Sequence, residues 1–335
     1  MAREVTAIRS RSFAALLAAA TSREPTKPAD SKSGARFERL VIDGDPYLVK
    51  HLTDDWLAAG SEDTTARAVG LWQSGSYDAL ADVVDSTVVS GAYLGDGPGF
   101  PAALLMRDVT ATLVPVDGAV DLDTHSAFLD AIAAMHARYW GAPPDGDLMP
   151  FAATYRFLSP AQARIEATEL GDRSEVLRAV TDGWTALAVT DPELAAIVTP
   201  LLADPSRLVA ALATTPQTFV HGDWKMGNLG RHPDGHVVLL DWDRAGAGYA
   251  AADLAWYIAV NSDRLPESKE DACRRYQRSL ESRGIATDDW WPRQLSLALL
   301  GGFLQLGWSK ISQPAELSWW RARVVAAAGQ LRASA

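Results

Sequence analysis

With 335 residues, 48% of them hydrophobic and 22% charged, the chain is long enough for about two units of roughly 150 residues and apolar enough to exclude a disordered polymer. Its 31 basic against 42 acidic side chains give a net charge of −11, which repels phosphate backbones and argues against nucleic acid as a partner. A single cysteine, Cys273, rules out an internal disulfide and a cysteine-type structural metal site, so the cytoplasm is the expected compartment.

In chain order, Arg3, Arg9 and Arg11 precede the run Ser12–Ala20, which imitates a short export signal. Glu4 and the scarcity of leucine favour an Ala-rich amphipathic helix lying on the first domain instead. Pro25, Pro28 and the cluster Asp30-Ser31-Lys32-Ser33-Gly34 punctuate the chain. Phe37–Ile42 and Tyr47–Leu52 then read as two strands joined by a hairpin turn at Asp43-Gly44-Asp45. Ser86–Leu94 and Ala103–Met106, separated by the turn-like Gly97–Pro101, read as two more. From Asp123 the spacing becomes helical: Phe128, Ile132, Met135 and Tyr139 share one face of Ser126–Trp140, and His136 is expected as a buried residue of that helix. Helices continue to the end, interrupted by one β-like patch, Thr218–Val220 and Val237–Leu240. The uncharged stretch Gln294–Ser309 is shorter than the roughly 20 apolar residues of a membrane crossing and is expected as a buried helix, so no membrane partner is expected. The pattern is α+β: a small β-rich N-terminal lobe with its helix, residues 1–108, followed by a larger helical lobe, residues 109–335.

The residues richest in chemistry lie in Thr218–Gly230, which contains His221-Gly222-Asp223 and Asn228, and in Val237–Asp243, which ends in Asp241-Trp242-Asp243. Phosphoryl transfer needs a carboxylate to orient the acceptor hydroxyl and hard oxygen ligands to hold Mg²⁺ against the nucleotide phosphates. Asp223 and Asn228 stand five positions apart, as in a kinase catalytic loop, and Asp241 ends an apolar strand, where a metal-binding aspartate would stand.

These motifs resemble the aminoglycoside phosphotransferase and choline kinase-like family, relatives of the protein kinases. His221-Gly222-Asp223 with Asn228 matches the family's H-G-D-x-x-x-x-N loop, and Leu240-Asp241-Trp242-Asp243 matches its metal segment. Gly248 with Asp253-Leu254-Ala255 matches the G-x-x-x-x-D-L-A that follows. The resemblance implies a two-lobed protein kinase-like fold, with Asp223 as catalytic base, Asn228 and Asp241 as Mg²⁺ ligands, Asp253 accepting hydrogen bonds from the loop backbone, and a structural His221.

On the nucleotide side, Tyr47–Leu52 resembles the kinase strand that carries the phosphate-binding lysine, which places Lys50 on the α- and β-phosphates. Glu62 is its expected acidic partner. Ser31, Ser33 and Gly34 form a candidate phosphate loop that lacks the glycine pattern of the protein kinases, and Met106 and Asp108 fall where an adenine-binding hinge would run. Lys225 is placed to neutralise charge on the transferring phosphoryl group. Ten of the 12 tryptophans lie from Trp140 onward, and an aromatic wall including Trp290 and Trp291, with Asp243 or Asp289, would suit a cationic or sugar-like acceptor. The expected function is ATP-dependent phosphorylation of a hydroxyl on a small molecule, aminoglycoside-like, sugar or amino-alcohol, with GTP as the other candidate nucleotide. A non-catalytic nucleotide-binding regulator on the same fold is the alternative, and a metal-dependent hydrolase using Asp223, Asp241 and Asp243 is a third reading.

Overall fold

The computed structural model of the chain describes residues 8–27, 35–170 and 175–333. The chain falls into two units. The first comprises Met1–Ala131, Pro144–Leu148 and Met226–Asp243; the second comprises Ile132–Pro143, Met149–Lys225 and Arg244–Ala335.

The first unit is built on a five-stranded antiparallel sheet. Its strands are β1 (Ala20–Thr26), β2 (Arg36–Ile42), β3 (Asp45–Leu52), β5 (Val88–Tyr93) and β6 (Ala102–Arg107), in the order β1-β2-β3-β6-β5. The turn between β2 and β3 falls where the sequence predicts it: Asp43 and Gly44 both have positive φ, 54° and 95°, as the tightest hairpins require. Alternation along β3 sends Tyr47 and Val49 to one face and Leu48, Lys50 and Leu52 to the other. The first face is covered from the N-terminus: Ile8, Phe13 and Leu16 pack with Leu40, Ile42, Tyr47, Val49 and Leu105 in one buried cluster.

The Ala-rich helix is shorter than its sequence suggests. It spans Phe13–Ala18, capped by Ser12, whose hydroxyl accepts from the Ala15 N–H, and the chain then enters β1 instead of continuing as helix. As an edge strand with mostly exposed side chains, β1 carries none of the apolar alternation that marks β2 and β3, and it accommodates Pro25. The first unit also holds a three-stranded sheet, in which β9 (Val237–Leu239) lies between the two-residue strand β4 (Val84–Asp85) and β8 (Leu229–Arg231).

Among its described residues the second unit is mainly helical, with a short antiparallel pair, β7 (Thr218–Val220) and β10 (Gly246–Gly248). Its central helix, Ala250–Val260, is buried from Ala250 through Ala259, with Asp253 as its one charge. The uncharged segment read as a buried helix spans Trp291–Leu306, and its glycines permit close packing: a Cβ at Gly301 would collide with the Tyr155 ring. The helix expected over Ser126–Trp140 spans Leu122–Arg138, and His136 is fully buried in it. Among the described residues no single helix is long and apolar enough to cross a membrane.

Candidate active site

In the first unit, Lys50 is nearly inaccessible on the inner face of β3, and its ammonium donates to Asp241 Oδ1 at 3.0 Å and Asp243 Oδ2 at 2.5 Å. Burial alone would lower its pKa, but the two carboxylates outweigh burial and hold it above the ordinary lysine value. Trp242, between the two acids, is buried; its indole N–H donates to the Leu239 carbonyl at 3.0 Å and its ring meets Tyr77 edge-on. The carboxylates on either side of the anchored indole both reach Lys50, and Asp241 takes a left-handed backbone, φ 61°.

Asn228 and Asp241 come to one end of the β8–β9 hairpin. Leu229 pairs with Leu239, and the Leu240 N–H donates to the Asn228 carbonyl at 2.9 Å. Among the described residues no group of three or more His, Cys, Asp or Glu side chains could hold a metal ion. An amide oxygen and a carboxylate are hard donors that fit Mg²⁺, which keeps several waters and takes its remaining ligands from substrate phosphates instead of a protein cage. Asn228 and Asp241 are thus a donor pair suited to that ion.

Glu62 is not the acid against Lys50. It lies between the short helices Trp56–Gly60 and Arg67–Gln73, with φ 53°, and its carbonyl accepts from Arg67 at 3.4 Å. The positions against Lys50 are taken by Asp241 and Asp243, 191 and 193 residues away in sequence. Arg67, which sequence reasoning missed, is fully buried; it donates to the Asp243 carbonyl at 2.6 Å and the Asp147 carbonyl at 3.1 Å. Nothing in its neighbourhood Arg-Ala-Val-Gly-Leu-Trp marks it as part of a site.

Met106 lies in β6 opposite Leu48, on the sheet face that carries Lys50. The Asp108 carboxylate accepts from the Thr110 N–H at 3.1 Å and pairs with Arg39 at 3.0 Å, while its own N–H donates to Pro46. Its side chain is thereby engaged in shaping the turn after β6. Ser31, Ser33 and Gly34 lie outside the described residues.

In the second unit, the loop after β7 is held by main-chain contacts. Asp253 accepts from the His221 N–H at 2.7 Å and the Gly222 N–H at 2.8 Å, as the family resemblance implies for this residue. Burial would raise its pKa, but hydrogen bonding and charge from His136, the charge of His221 and the His221 N–H outweigh burial, so the carboxyl lies below the ordinary value. Behind it, His136 Nε2 lies 3.2 Å from Asp253 and Nδ1 lies 2.6 Å from the Tyr276 hydroxyl. Gly222 has φ 77°, and a Cβ there would run into the Arg244 carbonyl, so this position requires glycine twice over.

Asp223 follows, nearly buried, with Lys225 Nζ at 2.8 Å from Oδ2 and the Arg244 guanidinium 3.8 Å from Oδ1. Arg244, also missed from sequence, lies over the rings of Phe157 and Trp256 and donates to Gln305 at 3.0 Å. Burial pulls its pKa down against the charges of Asp223 and Asp253. Asp223 thus has a cation near each carboxylate oxygen, with Oδ2 on the Lys225 side and Oδ1 toward Arg244.

The expected aromatic wall is instead core. Trp290 and Trp291 are buried, and Trp291 stacks on Tyr276, so both rings stabilise the helices behind the loop. Asp289 is exposed.

The model of the phosphotransferase enzyme family matches residues 24–290 of the chain. Among solved structures, the chain resembles an aminoglycoside phosphotransferase, APH(3'')-Id from Streptomyces rimosus, at 22% identity and TM-score 0.52, covering 88% of this chain and 98% of that one. The same enzyme in complex with ADP and streptomycin matches at 21% identity and TM-score 0.50, over 88% and 97% of the two chains. Choline kinase LicA from Streptococcus pneumoniae matches at 13% identity and TM-score 0.44, over 94% and 95%. No curated protein matches the sequence. The Streptomyces likeness establishes a protein kinase-like fold, in agreement with the α+β organisation read from the sequence.

Proposed function

Because the chain belongs to the phosphotransferase enzyme family, we propose that it transfers the γ-phosphoryl group of ATP to a hydroxyl of a small molecule, with aminoglycoside-like, sugar and amino-alcohol compounds as the acceptor classes. The observation that carries this reading is the buried Lys50 held on Asp241 and Asp243, a cation kept charged and aimed at the segment that would hold the metal. The Streptomyces relative, whose structure holds ADP and streptomycin, supports both the nucleotide and the class of acceptor. Residues 1–108 would serve the nucleotide and residues 109–335 the chemistry and the acceptor.

In this mechanism Asp223 Oδ2 takes the proton of the acceptor hydroxyl, since Oδ1 is buried toward Arg244. The new P–O bond forms to the acceptor oxygen as the bond from the γ-phosphorus to the bridging oxygen breaks, leaving ADP. Lys225 leaves Oδ2 to meet charge on the transferring group, and Lys50 holds the α- and β-phosphates. Mg²⁺ bound by Asn228 and Asp241 would neutralise charge on the phosphate oxygens.

The first experiment is titration of ATP and of GTP into the protein with and without Mg²⁺, followed by an ADP-release screen over streptomycin, simple sugars and choline. Mg²⁺-dependent binding and release stimulated by one acceptor class are expected. Absence of binding by either nucleotide overturns the proposal.

A further inference from the structure

Kinase chemistry asks two things of the segment Asp241-Trp242-Asp243: a carboxylate for the metal and, in this chain, a counter-ion for Lys50. A carboxylate that turns to Mg²⁺ shares its charge between two cations, so a second acid keeps the ammonium held when the metal binds. We propose that the duties are divided, with Asp243 the standing partner that positions Lys50 for the nucleotide phosphates and Asp241 released to the metal when nucleotide arrives. The inference rests on the nucleotide site proposed above and deepens it.

Three observations separate the two acids. Asp243 makes the shorter bond to Lys50, 2.5 Å against 3.0 Å. The Asp243 side chain is 30% exposed and that of Asp241 46%, so Asp241 is the more accessible to an incoming ion. The Asp243 backbone is clamped, because the fully buried Arg67 donates to its carbonyl at 2.6 Å. Arg67 is itself held by the Asp147 carbonyl, so the clamp spans two further segments of the first unit.

The other acids beside Lys50 are committed elsewhere. Asp55 and Asp63 line the same small cleft as Lys50, Leu52, Thr53 and Asp243. The Asp55 carboxylate accepts from the Ala58 N–H at 3.2 Å, and that of Asp63 accepts from the Thr65 and Arg67 N–H groups at 3.1 and 3.0 Å. Both therefore satisfy helix or turn N–H groups. A lysine on a rigid strand with its acid on an equally anchored turn is pre-organised, so its ammonium is already placed when phosphates arrive.

The test is isothermal titration of MgATP and of adenosine into the unsubstituted protein, Asp243→Asn, Lys50→Met and the double variant. Asp243→Asn is expected to raise the Kd for MgATP at least about fivefold, as loss of one charge-assisted hydrogen bond would. It is also expected to raise the Mg²⁺ concentration needed for half-maximal ATP binding, because Lys50 then falls back on Asp241. Adenosine, which has no phosphates, should bind within about twofold of the unsubstituted protein. In the Lys50→Met background, Asp243→Asn should add less than about twofold. Asp243→Glu, which keeps the charge on a longer stem, should recover part of the MgATP affinity.

Equal weakening of adenosine and MgATP would make Asp243 merely structural and overturn the inference. An undiminished effect of Asp243→Asn in the Lys50→Met background would overturn it as well, by showing that the residue acts without the lysine. Failure of the unsubstituted protein to bind MgATP overturns the proposed function and the inference together, whereas MgATP binding by the unsubstituted protein that Asp243→Asn leaves unchanged overturns the inference alone.

Discussion

Asp253 in the second unit and the pair Asp241 and Asp243 in the first are carboxylates satisfied in opposite ways. Asp253 is almost fully buried, and its partners are two main-chain N–H groups and an imidazole locked against a tyrosine hydroxyl. Asp241 and Asp243 are half-open, and the group they share is a buried ammonium. Hydrogen bonds from the backbone fix one geometry, because the donors cannot leave; an ion pair at an accessible edge can exchange one partner for another. The loop that would carry the base is built to stay, and in the segment that would carry the metal it is Asp241, the more exposed acid, that is placed to change hands.

The sharpest way to break this contrast is to remove the group that the fixed loop presents. Asp223→Ala is expected to lower turnover by at least about 100-fold while nucleotide affinity stays within about twofold, as read by ADP release and by titration. Unchanged turnover would deprive the rigid loop of its purpose.

Next, Asp253→Asn is expected to destabilise the protein by about 2–3 kcal/mol, because hydrogen bonds to a charged acceptor are lost in a buried setting. Chemical denaturation at pH 7 reads this directly. The pH dependence has a definite sign. The folded pKa of Asp253 is depressed, so its contribution is fully present above the ordinary aspartate value of about 3.9 and is lost as pH falls through the folded value. The stability gap between the unsubstituted protein and Asp253→Asn should therefore narrow as pH falls below about 4. A gap that persists undiminished would mean that the carboxylate's charge is not what holds the loop.

A smaller loss is expected at Gly222. Gly222→Ala forces a Cβ into a left-handed position against the Arg244 carbonyl, at about 1–3 kcal/mol, with a larger fall in turnover than in nucleotide affinity. The smallest effect is expected at Trp291. Trp291→Phe keeps a ring against Tyr276 and should lower the melting temperature slightly without moving any acceptor KM. A shifted KM would restore the aromatic wall as an acceptor surface.

How much of this is legible in the sequence depends on distance along the chain. Strands β2 and β3 announce themselves by alternation and a two-residue turn, and Lys50 follows from its place in β3. The loop His221-Gly222-Asp223 and the segment Asp241-Trp242-Asp243 are short enough to show in spacing alone. Strand β1 is hidden because an exposed edge has no buried face to pattern, and β4, β8 and β10 are two or three residues long. For Lys50 the sequence points to a nearby partner, Glu62, because local sequence offers local acids. The acids it meets lie nearly two hundred residues away, where only the folded chain brings them. Arg67 and Arg244 leave no mark, since a lone arginine, whether in the apolar Ala66–Trp72 or next to Asp243, looks the same whether it is buried against a carbonyl or carboxylate or covers a surface.

The Lys50 pair also bears on how such a chain can lose its activity over evolutionary time. In a lineage relieved of the need for phosphoryl transfer, drift of the lysine to an apolar residue would leave two neighbouring carboxylates without their shared cation, a cost that their partial exposure to water softens. Paired changes, lysine and acids together, would be the less costly route. On the roles proposed for these residues, a descendant that lacks all three would have lost its phosphate-binding cation and its metal-side carboxylates together.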